Sequence, residues 1–340
     1  MTAAAHLPPG ARVLWRSAES VQIELGRRAV VLDGVAGSDV RQLTGRGSES
    51  ESAHRMATVL VALRQAGFSL TAQPPKPGWA DPRTEALLAD EITALSARRD
   101  DAAATVQRRR ERTVEIRGGG RLVPLIATLL ATAGIGRVHC PGDGDVALRD
   151  ALPGGLRPAD EGRRFAAAVD DAVRRAAPDA ATSAATGEPD LVVLAPDGPL
   201  DDTAADACFA AGLPHLVLGA RGGGGVVGPL VLPGRSSCLR CLEHHRHDRD
   251  PAWPYLAVQL TTSTSRAEAA ELAVKALTAA LGVSQALGYL DGDGAAAVDG
   301  TLEFTLPDYR VRRRSWPRHP GCGCALPAPL AAAGPTSAPL

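Results

Sequence analysis

Four of the six cysteines fall into two close pairs, Cys238-x-x-Cys241 and Cys322-x-Cys324. A C-x-x-C turn presents two sulfurs to one tetrahedral ion, and a second close pair completes the shell. A four-thiolate site has no open position, so the ion expected here is a structural zinc that fastens the end of the chain to the C-x-x-C loop. The second pair is one residue tighter than usual. His319 could replace one of its members, and His244, His245 and His247 are further ligand candidates. Four reduced buried thiols and two disulfides are the competing readings, although six cysteines in 340 residues do not make a disulfide-stapled scaffold. Cys140 and Cys208 stand alone in apolar runs and read as core residues.

A second constellation involves glycine and aspartate. Gly118, Gly119 and Gly120 follow a short strand-like run and precede an apolar helix, the setting in which backbone N–H groups approach a phosphate. Asp197 stands one step beyond the run DLVVLAP, where open α/β sheets place ligands; the bland reading is a turn or cap residue. A glycine turn alone is a weak signal. Ser236 and Ser237 read as loop residues, since no His/Asp partner is recognisable for a nucleophile.

The elements that must position these groups alternate. Thr113 to Arg117 reads as a strand, Leu122 to Ala133 as an apolar helix and Arg137 to Cys140 as a strand followed by the turn PGDGD. DLVVLAP and HLVLGA, with a helix at 202–211 between them, are continuous apolar runs of the kind that parallel sheets bury on both faces. GVVGPLVLPG, TLEFTLPD and YRVRRRSW read as later strands, with a helix over 266–287. The order predicts a right-handed, doubly wound sheet. Upstream, residues 11–32 read as two strands turning at Gly26. A helix follows with Met56, Val59, Leu60 and Leu63 on one face, which suits a small winged-helix-like module over 1–71. The prolines of 72–82 mark a linker, 83–112 reads as one helix with a solvated basic end, and the Pro/Ala tail at 326–340 as disordered.

Composition narrows the function classes. A net charge of −1 gives no basic surface for nucleic acid or membrane. No uninterrupted apolar run reaches the length needed to span a bilayer, and no signal segment is evident, so a cytoplasmic protein is expected. Lys76 and Lys275 are the only lysines, so a mechanism that needs one has two candidates.

Taken in order, the glycine turn, ATAGIGRV, the glycine-and-aspartate turn, DLVVLAPD, CFAAGLPHLVLGA, GPLVLPG, CLRCL and HPGCGC resemble the ThiF/MoeB family over residues 113–325. These bacterial relatives of ubiquitin-activating enzymes adenylate the C-terminal carboxylate of a peptide or small protein. The resemblance implies a Rossmann-like, doubly wound, mainly parallel sheet within a domain spanning 83–325, with ATP and magnesium as ligands and a homodimer as the assembly. In this alignment Gly118, Gly119 and Gly120 hold the phosphates, Asp143 or Asp145 grips the ribose, and Asp197 holds magnesium as the catalytic residue. The family lysine falls on Phe165, beside Arg163 and Arg164, which keep the charge without the compact ammonium geometry. Arg117 and Leu122 stand where the family has glycine. The first 70 residues resemble, in element order, the peptide clamp of azoline cyclodehydratase partner proteins, which implies leader-peptide binding at a sheet edge. The missing glycines and lysine favour a degenerate member that binds a peptide and presents it to a partner modification enzyme. The alternative is an active ATP-dependent adenylyltransferase. A nicotinamide or flavin oxidoreductase would need a cleaner fingerprint and would leave the cysteine pairs unexplained.

Overall fold

The computed structural model describes residues 5–46, 52–70, 82–198, 200, 202–262 and 269–325. The expected tail at 326–340 lies outside them, as does the expected linker except Pro82, which opens a helix. The chain packs as two compact units, Met1–Arg108 and Arg109–Leu340, whereas the sequence reading divides it at 72–82.

The first unit carries three antiparallel strands where two are expected: β1 (Arg12–Ser17), β2 (Ser20–Leu25) and β3 (Arg28–Asp33). The turn between β1 and β2 is formed by Ala18 and Glu19, neither of them a strong turn residue, so the sequence does not announce it. The central strand β2 buries Val21, Ile23 and Leu25 in a core shared with Met56, Val59 and Leu63 of α2 (Ala53–Gln65). The preceding Ser/Gly-rich stretch holds a short helix, α1 (Gly37–Leu43), whose buried Asp39 pairs with Arg55 of α2 at 2.6 Å. The single helix expected over 83–112 is two, α3 (Pro82–Ser96) and α4 (Ala102–Arg109). Asp101 ends the break: its carbonyl accepts from Thr105 N at 2.8 Å, the place of an N-cap. Hydrogen bonds from Arg99 and Arg108 hold its carboxyl well below the usual range.

The second unit is a seven-stranded sheet. Four parallel strands form its first part: β4 (Thr113–Gly118), β5 (Arg137–His139), β6 (Leu191–Ala195) and β7 (His215–Arg221), in the spatial order β5-β4-β6-β7. Antiparallel strands β8 (Gly224–Val231), β9 (Gly300–Thr305) and β10 (Arg312–Ser315) extend it beyond β7. The crossover helices are α5 (Leu122–Thr132), α6 (Phe165–Ala176) and α7 (Asp202–Ala210). Strand β6 is buried at every residue, and its two faces feed different cores. Leu191, Val193 and Ala195 meet α5 and α6, while Val192 and Leu194 meet Ala205 and Cys208 of α7. The sheet is therefore wound on both faces, and the strand order reverses between β4 and β6.

Two further helices, α8 (Leu239–Arg249) and α9 (Trp253–Thr262), are not anticipated by the sequence reading, and the helix expected over 266–287 is α10 (Leu272–Leu290). By length and composition α10 could cross a membrane, but Val274, Ala279, Val283 and Ala286 are buried, and the helix packs on α5, β7 and β8. Arg109, expected at a solvated helix end, is instead buried. It holds Asp291 through two hydrogen bonds of 2.9 and 2.7 Å and donates to the Ala133 carbonyl. Removing one partner of such a pair leaves a buried charge uncompensated, at a cost of about 3–5 kcal/mol. Asp291→Ala is therefore expected to lower Tm by about 6–20 °C in thermal unfolding. A shift under about 2 °C would mean that the pair contributes little.

Candidate functional site

The glycine turn and Asp197 meet at the carboxyl edge of the sheet, where β4 and β6 end side by side. Gly118 closes β4 at φ +148°, and a Cβ there would overlap the Ala195 carbonyl. Gly119 N–H donates to that carbonyl at 3.3 Å, and the space around its own α-carbon is open. Gly120, at φ +60°, carries the Asp197 carboxylate directly against it, in the place its side chain would take. The turn then enters α5, whose first N–H groups have no partner within the helix. An open turn over a helix N-terminus, with a carboxylate beside it, can take a phosphate and a cation together.

The sequence reading named Lys275 as one of two lysine candidates but gave it no place in the site. Lys275, in the first turn of α10, donates from Nζ to Asp197 Oδ1 at 2.8 Å. The two residues are 78 positions apart, and only the scarcity of lysine in the chain could have drawn attention to it.

The other expected residues are placed as follows. Asp143 and Asp145 lie in the loop after β5, the strand beside β4, and Arg164 sits 4.0 and 3.3 Å from their carboxylates. Arg163 is committed elsewhere, with one nitrogen 2.6 Å from Asp160 and another 2.5 Å from Asp171. The two bonds push its guanidinium pKa up, while hydrogen bonds from Arg163 and Arg174 hold the Asp171 carboxyl down to about 2. Phe165 is a core residue at the start of α6. The two departures from glycine are absorbed away from the turn. Arg117 alternates onto the α7 face, pairing with Glu115 at 2.6 Å and reaching Cys208 Sγ at 3.5 Å, while Leu122 is buried in the core. Arg121, between the turn and Leu122, has no ion pair, and its Nε is buried without a hydrogen-bond partner among the described residues.

Beside Asp197, Pro196 and Gly198 form part of the wall of a cavity of about 370 Å³, completed by groups including Val217, Arg246, Trp253 and Phe304. Its lining mixes apolar side chains with the charged Asp202, Arg221, Glu243, Arg246 and Glu303, and convergent polar groups of this kind orient a ligand. A hollow of about 670 Å³ between residues 151–158 and α6 contains none of the groups above.

The four paired cysteines converge at another place in the second unit. Sγ atoms of Cys238 and Cys241 are 3.9 Å apart, those of Cys238 and Cys322 3.7 Å, and those of Cys241 and Cys324 3.4 Å. Four sulfurs bound tetrahedrally at about 2.3 Å from one ion would stand about 3.8 Å from each other. The cluster therefore fits a thiolate-bound metal ion, and none of the cysteines is in a disulfide. Burial, with the neighbouring Cys241 and Cys322 sulfurs adding to it, pushes the Cys238 thiol up to about 11, whereas, against burial, hydrogen bonds from its surroundings hold the Cys241 thiol down. His319 does not replace a cysteine. Its Nδ1 accepts from Gly321 N–H at 3.0 Å, its Nε2 lies 2.8 Å from Asp248, and its carbonyl accepts from Cys322 N–H, so it shapes the loop that delivers the second pair. His244 stacks on His319, and His245 is held by the Pro317 carbonyl at 2.8 Å.

No family model matches the sequence, and no curated protein matches it. Solved structures do. The crystal structure of E. coli MccB aligns with a TM-score of 0.66 at 14% identity, covering 94% of this chain and 96% of that one. The structure of the microcin C7 biosynthetic enzyme MccB with N-formylated MccA gives 0.68 at 14% identity over 94% and 99% of the two chains. That of PaaA gives 0.62 at 17% identity over 77% and 92%. MccB has also been crystallised with ATP, in a structure that aligns at 0.67 and 15% identity. The fold is ThiF-like. At these identities the likeness concerns architecture, and the chemistry has to be argued from the side chains.

The cysteine geometry generates a direct expectation. Elemental analysis of freshly purified, reduced protein should find about one thiolate-bound metal ion per chain. Cys241→Ser should lower both the metal content and Tm, because metal affinity is folding free energy. Metal-free protein with an unchanged Tm in the variant would leave the cluster as four buried thiols.

Proposed function

We propose that this chain is a ThiF-like protein of peptide modification that binds ATP at the β4–β6 edge, activates a peptide carboxylate, and carries one structural zinc ion on Cys238, Cys241, Cys322 and Cys324. The observation that carries the reading is the packing of Asp197 onto Gly120 beside an open, helix-capping turn. Three features favoured a degenerate protein: Arg117, Leu122 and Phe165. Each side chain is accommodated without entering the turn, two of them in the core and Arg117 on the opposite face, and a lysine reaches Asp197 from α10 instead.

In this reading Gly120 and the first turn of α5 offer backbone N–H groups to the phosphates, beside the open space at Gly119, Asp143 or Asp145 receives the ribose hydroxyls, and Asp197 holds magnesium. Magnesium supplies neutralisation of the triphosphate charge. A carboxylate oxygen of the peptide attacks the α-phosphorus of ATP, the bond from that phosphorus to the bridging oxygen breaks, and pyrophosphate leaves, giving an acyl adenylate. Positioning and electrostatics account for most of what a protein must contribute to such a transfer. The cavity beside Pro196 is the natural seat for the peptide's C-terminal end. The outer strands β1 and β3 of the three-stranded sheet, which pair with no further strand among the described residues, suit backbone pairing with a leader segment. A homodimer is part of the same proposal.

A second reading has one observation in its favour. Lys275 already neutralises the carboxylate assigned to magnesium, which suits a non-catalytic protein that presents a peptide to a separate enzyme. Pyrophosphate exchange separates the two. The protein would be incubated with Mg-ATP and a pool of short peptides with free C-termini, alongside the same pool amidated. Exchange with the free pool alone is expected. ATP binding without exchange in either pool would favour the presenting role.

A further inference from the structure

Lys275 stands where helix electrostatics disfavours a cation. It is in the first turn of α10, close to the positive end of the helix dipole, whereas lysines gain stability near the opposite end. Its side chain is only 12% exposed, yet of its three N–H donors one has a partner among the described residues, Asp197 Oδ1 at 2.8 Å. A part-buried ammonium with two unused donors lacks acceptors that an anion would supply. The carboxylate it holds is also half-used, since no partner meets Asp197 Oδ2 among the described residues. An arginine here would take both oxygens with its planar fork and close the carboxylate, whereas the compact ammonium leaves one open. The chain uses arginine for every other cation except Lys76, so lysine at 275 is not explained by composition.

The anion has a place to sit. The N-terminus of α5, opened by Gly119 and Gly120, lies against the same carboxylate that Lys275 holds. Arg117, Arg163 and Arg164 are each engaged by carboxylates, while Arg121 has no ion pair among the described residues. Lys275 is thus a cation that the fold brings to the turn from a distant helix, in addition to Arg121 of the turn's own sequence.

We propose that Lys275 is the polyphosphate-binding lysine of this chain, delivered from α10 across the sheet edge. It keeps one oxygen of Asp197 and offers its two remaining donors to the β- and γ-phosphates of a nucleoside triphosphate. Asp197 Oδ2 is left for the accompanying divalent cation. The inference rests on the reading of the turn as a nucleotide site. It adds the residue that discriminates a triphosphate from a monophosphate there.

Calorimetry on the full metal-loaded chain tests it, with Mg-ATP and AMP as probes and Lys275→Met as the variant, which keeps the stem and removes the charge. Wild type is expected to bind Mg-ATP, and the variant to bind it about ten- to a hundredfold more weakly, the usual cost of one charge-assisted phosphate contact. AMP, which lacks the outer phosphates, should lose less than about threefold. Tm and metal content should stay within error, because a merely structural role would move those instead. Equal losses for ATP and AMP, or an unchanged affinity for both, would overturn the role of Lys275 while leaving the nucleotide site standing. A wild type that binds neither probe would overturn both the inference and the reading beneath it.

Discussion

At the carboxyl edge of the sheet two backbones come closer than side chains permit. Gly118 leaves room for the Ala195 carbonyl, and Gly119 N–H closes on it. That single approach fixes where β4 turns into α5 and where β6 releases Pro196 and Asp197. It explains why three glycines in a row sit at the end of an otherwise ordinary strand. The third, Gly120, leaves the Asp197 carboxylate in the volume a side chain there would occupy. The chain has therefore built a carboxylate, a helix N-terminus and open space into one corner by omitting side chains.

The same edge shows why fingerprint positions are an imperfect guide to a site. Strand alternation sends Arg117 to the face opposite the one that packs α5, where Glu115 and Cys208 receive it. Leu122 points into the core rather than toward the turn. Substitutions that break a motif on paper can be neutral to the cleft when the backbone they leave behind keeps its course. The lysine is the converse case, because its position in the chain says nothing about its position in space.

The legible parts of the sequence were those with strong local pattern. DLVVLAP reads as a doubly buried strand because every residue of it is apolar, and both faces of β6 are indeed covered. The cysteine pairs converge because their chemistry permits little else. Other features carried weak local signals. The β1–β2 turn lacks glycine and asparagine, and α8, LRCLEHHRHDR, has almost no apolar face to betray it, burying only Cys241 and Leu242. The contact between Lys275 and Asp197 is a product of strand order alone and could not be read before the sheet was assembled.

Helix α8 links the cysteine cluster to the cavity beside Asp197. An eleven-residue polar helix has little tendency to persist by itself. Here its start is anchored by Cys238 and Cys241 against the chain's last segment, and its end is gripped by Trp316 of that segment, with Arg246 and Arg249 over the indole at 5.9 and 4.8 Å. Trp316 is itself buried and donates to Thr301 of β9 at 2.9 Å. Further along the same helix, Glu243 and Arg246 form part of the cavity wall, with Arg246 5.0 Å above Trp253 of α9. A metal ion at the thiolates would thus do more than staple a terminus. By fixing the start of α8, while Trp316 holds its end, it would keep a charged wall in place over the pocket, so that the remote cysteines bear on the shape of the cavity beside Asp197.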